Sequence, residues 1–385
     1  MKWIYIPVGI TLLTLYTALN YYIGLRGAQA FGHVLGPRGL RAWWILFWIM
    51  AYLYMAMRLL QSKIPTPIDR WLIHLGAYWM AIMVYGLMAI LLVDLGRAFM
   101  MIFSVDVSAA WLKVTVGLLV VVVVSGTILY GIWNARNPRV VHYQVKLARD
   151  QHAGAVKKSI QAALVSDIHL GTIMGKNRLQ TLVNQLNHLE PDLILFAGDI
   201  IDENVNHFID DNMDAILKNL NPPLGKFAIL GNHEYYGGHL EEIVLHLEHS
   251  GIIVLRDEGV MVDDLFFLAG RVDLASERMT GTPRKALVEV VGQINPASTP
   301  VVLLDHQPKT WEEARDFGVA LQLSGHTHGG QLFPFGWITE RLFPEDWGKL
   351  EENGSTLIVS SGYGTWGPPI RTGNRPEIVM INVTK

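Results

Sequence analysis

Four stretches of the chain are apolar almost without interruption: Trp3 to Ile23, Ala42 to Leu60, Ile73 to Val93 and Trp111 to Trp133. Each is close to the ~20 residues a helix needs to cross the hydrocarbon core of a bilayer. The charges within these limits, Arg58 and Lys113, lie near an end, and Asp94 follows directly on the third stretch. Tryptophan and tyrosine gather at the ends, among them Trp3, Tyr21, Tyr22, Trp43, Trp44, Trp111 and Trp133, where an amphipathic ring suits the lipid–water interface. The pattern predicts an α-helical transmembrane bundle of four spans over residues 1–136. Apolar runs this long do not fit the buried helices of a soluble protein. No small-x-small cleavage pattern stands out at Tyr21-Tyr22-Ile23, so the first span reads as a retained anchor. With no charged pair inside the spans and no Gly/Pro-interrupted pair of helices, anchoring rather than transport is the expected role.

Asn134 to Pro138 forms a short joint, and beyond it the texture becomes that of an α/β domain over residues 139–385. Val141, Tyr143, Val145 and Leu147 alternate with polar residues at the period of a half-buried strand. After a polar turn at Asp150 to Lys158, Ile160 to Val165 is a second, more buried strand. Further strands are predicted at Leu193 to Ala197, Lys226 to Leu230, Ile252 to Leu255, Gly259 to Val262 and Leu265 to Ala269. Pro300 to Leu304, Val319 to Leu323, Thr356 to Ser360 and Pro376 to Val383 follow. Helical spacing marks Asn177 to Leu189, about Asp210 to Leu220, and Leu240 to His249. Strands alternating with helices, then with more strands, argue for stacked sheets covered by helices.

Composition sharpens this division. The 385 residues contain no cysteine, which removes disulfides, thiolate metal ligands and thiol nucleophiles. The net charge of -3 hides a polarised chain: residues 1–150 carry 13 Lys and Arg against 4 Asp and Glu, and the remainder 18 against 30. So acidic a C-terminal part is a poor grip for nucleic acid, and the basic excess flanks the apolar segments. With the N-terminus inside, the inner flanks hold Lys2, Arg58, Lys63, Arg70, Arg136, Arg139, Lys146 and Arg149, and the outer loops Arg26, Arg38, Arg41, Arg97 and Lys113. The positive-inside rule then leans toward a cytoplasmic catalytic domain.

The chemistry is concentrated where strands end. Five predicted strands deliver hard or borderline donors just past their C-terminal ends: Asp167 with His169, Asp199, Asn232 with His233, His306, and His326 with His328. That is where ligand residues sit in open α/β sheets. Asp167, His169, Asp199, Asn232, His306, His326 and His328 offer nitrogen or oxygen and no sulfur, which suits manganese, iron or zinc. Seven donors are enough for two ions sharing one carboxylate, the clamp used for in-line attack at phosphorus by a metal-activated hydroxide. His233 is the candidate proton donor to the leaving group, with Asp202 placed to hold its imidazole.

These blocks resemble the calcineurin-like metallophosphoesterases. That family's order of motifs stands here as Asp167-Ile168-His169, Gly198-Asp199-Ile200-Ile201-Asp202, Gly231-Asn232-His233-Glu234, His306 and Gly325-His326-Thr327-His328. The resemblance covers roughly residue 139 to the end and implies a four-layer αββα sandwich. It also implies Asp167, His169, Asp199 and His328 on one ion, and Asp199, Asn232, His306 and His326 on the other. The ending, with Gly-Gly-Gln after the histidines and Pro369-Ile370-Arg371 before Arg375-Pro376-Glu377-Ile378, is similar to a bacterial membrane-associated or exported branch. The four-span N-terminus departs from the single export signal or anchor of many relatives.

Several residues admit a plainer reading. Asp202 and Glu234 read equally as carboxylates at a helix N-terminus or on the surface. Asp305 could only orient a strand end, and Asp273 could be a turn residue. Arg371 could offer a planar fork to the substrate phosphate or form a structural ion pair. Phe333, Phe335, Trp337, Phe343, Trp347 and Trp366 could pack under a long loop or form an apolar lip toward membrane lipids, through which a lipid-linked phosphate ester enters. The expected function is a membrane-anchored metal-dependent phosphohydrolase, acting on diesters or pyrophosphates rather than simple monoesters and most simply a phosphodiesterase, with two divalent ions as cofactors. The competing class is a membrane scaffold or regulatory protein with a non-catalytic metal domain.

Overall fold

The computed structural model describes residues 2–60, 64, 66–147 and 159–384, with residues 2–5, 66 and 67 described by backbone alone. The expected turn at Asp150 to Lys158, together with Lys63 and Arg149, lies outside the described residues. The chain divides into two units: Met1–Trp133 with Gly367–Ile370, and Asn134–Trp366 with Arg371–Lys385.

The first unit is helical. Among the described residues three helices, α1 (Lys2–Leu60), α2 (Thr66–Ile102) and α3 (Ala110–Arg136), are long and apolar enough to cross a membrane, against the four expected. The difference lies in α1, which would run about 88 Å if straight, roughly three hydrocarbon cores. Gly36 interrupts it at φ 63 and ψ -179, a backbone region that suits glycine. The two halves then face each other: Tyr16 donates to the Ala51 carbonyl at 2.5 Å, Trp43 Nε1 to the Gly24 carbonyl at 3.1 Å, and Tyr21 stacks on Trp44. The first two apolar stretches are thus the arms of one helical hairpin. A second difference concerns charge. Asp94 lies inside α2 rather than past its end, and pairs with Arg26 of α1 at 2.5 Å and with Arg97 at 3.7 Å. The helices therefore do contain a charged pair, set between two of them where each charge finds its partner.

The second unit begins β1 (Arg139–Lys146), β2 (Ser159–Val165), α4 (Lys176–Leu189), β3 (Leu193–Ala197), α5 (Asn206–Asp210), α6 (Met213–Leu217), β4 (Lys226–Ile229), α7 (Asn232–Tyr236), α8 (Leu240–His249) and β5 (Ile252–Val254). It continues β6 (Glu258–Val262), β7 (Phe266–Gly270), α9 (Ala275–Thr280), α10 (Leu287–Val291), β8 (Val301–Leu304), α11 (Trp311–Phe317), β9 (Leu321–Ser324), α12 (Gly336–Leu342), β10 (Gly348–Glu352), β11 (Ser355–Val359) and β12 (Glu377–Thr384). The strands form two six-stranded sheets, β1-β12-β2-β3-β4-β5 and β10-β11-β9-β8-β7-β6. Leu164, Leu195 and Ile229 of the first sheet meet Leu268, Leu304 and Leu323 of the second in one buried layer. The opposite face of the first sheet is covered by Leu179, Leu182 and Leu186 of α4 and by Ile243 and Leu247 of α8. The opposite face of the second is covered by Val290 of α10 and by Trp311 and Ala314 of α11. This is the expected four-layer αββα sandwich.

One local expectation changes, and one strand appears where none was expected. Asp210 to Leu220 is not one helix, because Asn212 at φ 54 separates α5 from α6. Strand β10 carries no apolar alternation and exists as an edge partner of β11.

Candidate metal centre

Strands β2, β3 and β4 run parallel, as do β8 and β9, so their C-terminal ends open on one edge of the sandwich. Asp167 and His169 follow β2, Asp199 follows β3, and Asn232 and His233 follow β4. His306 follows β8, and His326 and His328 follow β9. Turning out of a strand while aiming a side chain back at a common point demands unusual backbone. Asp167 (φ 50), His169 (φ 53), Asp199 (φ 50), His326 (φ 73) and His328 (φ 50) all lie in the left-handed region. Each such residue costs roughly 1–2 kcal/mol relative to ordinary backbone, and persists only where its surroundings over-determine it.

The surroundings do so. Asp167 accepts the His326 N–H through both oxygens at 2.9 and 3.1 Å, tying the first loop to the last. Asp199 Oδ1 accepts the His233 N–H at 2.9 Å. Gly231 is required beside it, because a Cβ there would lie 2.2 Å from Asp199 Oδ1. At Gly325 a Cβ would meet Asp167 Oδ2 at 2.3 Å. Glycine stands in these motifs because site carboxylates occupy the space a side chain would take.

All seven expected donors converge. Asp167, His169 and His328 form one group whose donor atoms lie within 4.8 Å of one another, and Asp199, His306 and His326 form a second. His169 Nε2 and His328 Nε2 approach to 3.1 Å, and His328 Nε2 lies 3.6 Å from Asp167 Oδ1. Asp199 Oδ2 lies 3.8 Å from His169 Nε2 and 3.2 Å from His306 Nε2, so one carboxylate reaches both groups. Asn232 Oδ1 lies 3.2 Å from His306 Nε2 and 2.8 Å from His326 Nδ1. Asp167 and His306 are fully buried, and His169 and Asp199 nearly so.

The electrostatics fit a cationic occupant. Burial, with the neighbouring imidazoles, pushes His169 down to about 4 and His326 to about 3, and His328 well below the ordinary range. Three histidines therefore present lone pairs at neutral pH. Burial would raise Asp199, but the charge and hydrogen bond of His306 outweigh it and the carboxyl lies well below its usual range. Burial would lower His306, but Asp199 and Asp167 draw it upward, and a cation at the same place satisfies the same carboxylates. Two carboxylates, four imidazoles and one amide oxygen, with no sulfur, suit a pair of hard or borderline divalent ions.

His233 meets the expected partner: its Nδ1 lies 3.3 Å from Asp202 Oδ1, with Glu203 Oε1 at 3.5 Å. Its ring stands edge-on to His169 at 4.5 Å. Burial lowers its pKa, but the bond to Asp202 and the charges of Asp199, Asp202 and Glu203 raise it to about 9. Glu203, an immediate neighbour of Asp202, was not singled out from the sequence.

Arg371 departs from a fork open to phosphate. It is wholly buried, and its guanidinium donates to the carbonyls of Gly362 at 3.1 Å and Gly364 at 2.7 Å and to Asn374 Oδ1 at 2.7 Å. Its Nη2 stands 3.2 Å from His328 Nδ1, where its charge opposes protonation of that ring. Glu234 is the helix-end group of one reading, in the first turn of α7, and not a surface one. Fully buried, it accepts the backbone N–H of Gly231 at 2.7 Å, Ile201 at 2.8 Å and Asp199 at 3.2 Å, clamping two motif loops together. Asp305 pairs with Arg284 at 3.1 Å and orients the end of β8, while Asp273 is buried and accepts from Gln307 rather than shaping a rim. Trp347 donates to Glu377 at 2.9 Å beneath Arg139 and is part of the packing. Only a tertiary view shows these roles.

The calcineurin-like phosphoesterase family matches residues 160–330, a range that holds all seven donors. An uncharacterized metallophosphoesterase of Aquifex aeolicus is 39% identical over 220 residues, 57% of this chain and 82% of that one. An uncharacterized metallophosphoesterase of Campylobacter jejuni is 37% identical over 235 residues, 59% of this chain and 60% of that one. A Danio rerio protein named transmembrane protein with metallophosphoesterase domain is 31% identical over 275 residues, 68% of this chain and 61% of that one. The matched region spans about three fifths of the length of these last two relatives. With its motif loops assembled at one edge of a double sheet, this chain belongs to the calcineurin-like phosphoesterase family.

Proposed function

We propose that the chain is a membrane-anchored phosphohydrolase that uses two divalent ions to cleave phosphodiester or related phosphate-ester bonds, lipid-linked ones among them. The observation that carries this reading is the sharing of Asp199 between two groups of donors, with His169 on one side and His306 on the other. In this reading Asp167, His169, Asp199 and His328 hold one ion, and Asp199, Asn232, His306 and His326 the other. When bound, such a pair supplies Lewis-acid charge to the phosphoryl oxygens and lowers the pKa of a water. The chain's own residues do the rest. His233, held by Asp202 through Nδ1, keeps a proton at Nε2 for the departing oxygen. Exposed Lys309, whose ammonium lies 5.6 Å from the Phe343 ring that abuts His326, adds a cation at the rim. Residues 1–136 serve as anchor and 139–385 as the catalytic domain, with the α1 hairpin giving four crossings and the positive flanks placing the domain in the cytosol.

The test is hydrolysis of bis-p-nitrophenyl phosphate by the detergent-solubilised full chain with manganese. Asp199→Asn is expected to lower the rate by about 10³-fold or more, since both ions lose a ligand. Equal rates for the two proteins would end the reading. An active C-terminal alkaline phosphatase fusion, paired with a dark fluorescent fusion, would reverse the orientation.

A further inference from the structure

Residues 333–342 leave the last metal-binding loop and present their apolar side chains to the outside. Phe333 is 46% exposed, Trp337 58%, Ile338 54% and Leu342 64%, and α12 buries none of its residues. Packing under a loop does not explain a helix that packs so little of itself. Trp366 extends the platform to the site: it is 55% exposed, stands edge-on to His233 at 6.0 Å, and is held to Gln331 of the metal loop by two backbone contacts at 3.0 Å.

The support of this platform also holds Asn134 to Arg136, the first residues of the second unit, which follow directly on the apolar stretch ending at Trp133. Asn134, in the last turn of α3, is buried and donates to the carbonyls of Arg371 at 3.0 Å and Asn374 at 2.6 Å. Asn374 in turn donates to the carbonyls of Gly329, at 2.9 Å, and of His328. One residue on from Arg371, Thr372 accepts the N–H of Phe333 at 3.0 Å. Arg178 caps the same helix end, donating to the carbonyls of Ala135 at 2.7 Å and Arg136 at 3.2 Å. The stretch 371–374 therefore carries, at once, the place where an apolar helix of 27 residues ends, the His328 loop and the start of the exposed platform. A helix of that length ends at a lipid–water interface, and aromatic side chains favour that layer.

We propose that Phe333, Trp337, Ile338, Leu342 and Trp366 seat in the interfacial layer of the bilayer, so that the site takes phosphate esters carried on membrane lipids. The proposal rests on the phosphohydrolase reading for its substrate and on the platform alone for its surface.

Because the chain has no cysteine, single labels report unambiguously. A nitroxide at Ile338→Cys, in the full chain reconstituted in phosphatidylethanolamine and phosphatidylglycerol vesicles, is expected to collide more with oxygen than with a water-soluble nickel chelate. One at Leu245→Cys, on exposed α8, is expected to show the reverse. An aqueous profile at 338 overturns the proposal. So does spin–spin broadening there that disappears on dilution with unlabelled chain, since a second copy would then cover the face. For substrate, the double variant Trp337→Glu, Ile338→Glu is expected to lower kcat/KM about tenfold or more on vesicle-borne hexadecyl p-nitrophenyl phosphate, and to leave soluble bis-p-nitrophenyl phosphate unchanged. Equal effects on both overturn the lipid preference. If the unaltered chain cleaves neither ester, the phosphohydrolase reading fails while the nitroxide result still decides the surface.

Discussion

His306 donates its Nδ1 proton to the carbonyl oxygen of Ala197 at 2.7 Å, so the last residue of β3 in one sheet orients an imidazole that leaves β8 in the other. The bond fixes the tautomer and aims Nε2 at Asp199 and Asn232. Such outer partners orient ligands as surely as the ligands hold the ion.

His306→Gln is therefore expected to remove one centre and leave the other. Elemental analysis should fall from about two metal equivalents to about one, with phosphodiester hydrolysis down about 10²-fold or more. Retention of both equivalents would place His306 outside the ligand set.

His233 gives the pH dependence. Burial opposes its charge, but the bond to Asp202 and the surrounding carboxylates raise it to about 9. With the protonated ring as the proposed acid, activity should hold below the folded pKa and fall as pH rises through it. The same sign applies to folding: stability from this raised histidine is fully present below about pH 6.5 and lost as pH climbs through about 9. Cations held at Asp199 oppose the proton, which puts the alkaline limb of kcat at pH 9 or below. Asp202→Asn removes a raising partner and should move that limb to lower pH. An unshifted profile in the variant would assign the proton to another group.

The motif loops were legible in the sequence because each donor sits within a few residues of a strand end, and strand ends announce themselves by apolar runs. The reversal between the first two apolar stretches was legible, because Arg26, Gln29, His33, Arg38 and Arg41 stand among glycines there; that helix would continue up to Gly36 from both sides was not. Asp94 was misplaced because an α-helix does not stop where its apolar stretch stops, and α2 runs on to Ile102. Arg371 as an open fork was misread, and the reach of Glu234 beyond its own helix end was missed, for a shared reason. Their partners are backbone groups at Gly362, Gly364, Gly231, Ile201 and Asp199, and no side-chain pattern reports where a carbonyl or an amide will point. Strand β10 exists only through its neighbour, so its own residues carry no strand period.

Glu234 makes a prediction about stability. Its two oxygens accept three backbone N–H groups, from Gly231 and Asp199 on one and Ile201 on the other. Glu234→Gln keeps the shape but turns an amide NH₂ toward at least one donor, leaving that N–H unsatisfied in a buried place. The expected cost is about 1–3 kcal/mol, read as a lower denaturation midpoint, with weaker metal retention because Asp199 loses its brace. An unchanged midpoint would mean that the two loops hold each other without it.

Arg371 separates positioning from substrate binding. Burial lowers its pKa to about 10, against Asp167 and Glu377, which raise it, so it is charged at neutral pH. Both Nη2 hydrogens go to carbonyls, Nη1 goes to Asn374, and none of the side chain is exposed. A substrate phosphate therefore has no route to it, whereas His328 has it as a neighbour at 3.2 Å. Arg371→Lys keeps the charge and loses the planar fork that joins the 362–364 loop to Asn374. The manganese concentration needed for half-maximal activity should rise about 10–100-fold, the usual effect of removing a ligand's outer partner. At saturating manganese, KM for bis-p-nitrophenyl phosphate should stay within about twofold of the unaltered chain, because an interaction absent from bound substrate cannot change its uniform binding. A raised KM at saturating metal, with unaltered manganese dependence, would return Arg371 to the substrate and require the 362–374 segment to open before the ester binds.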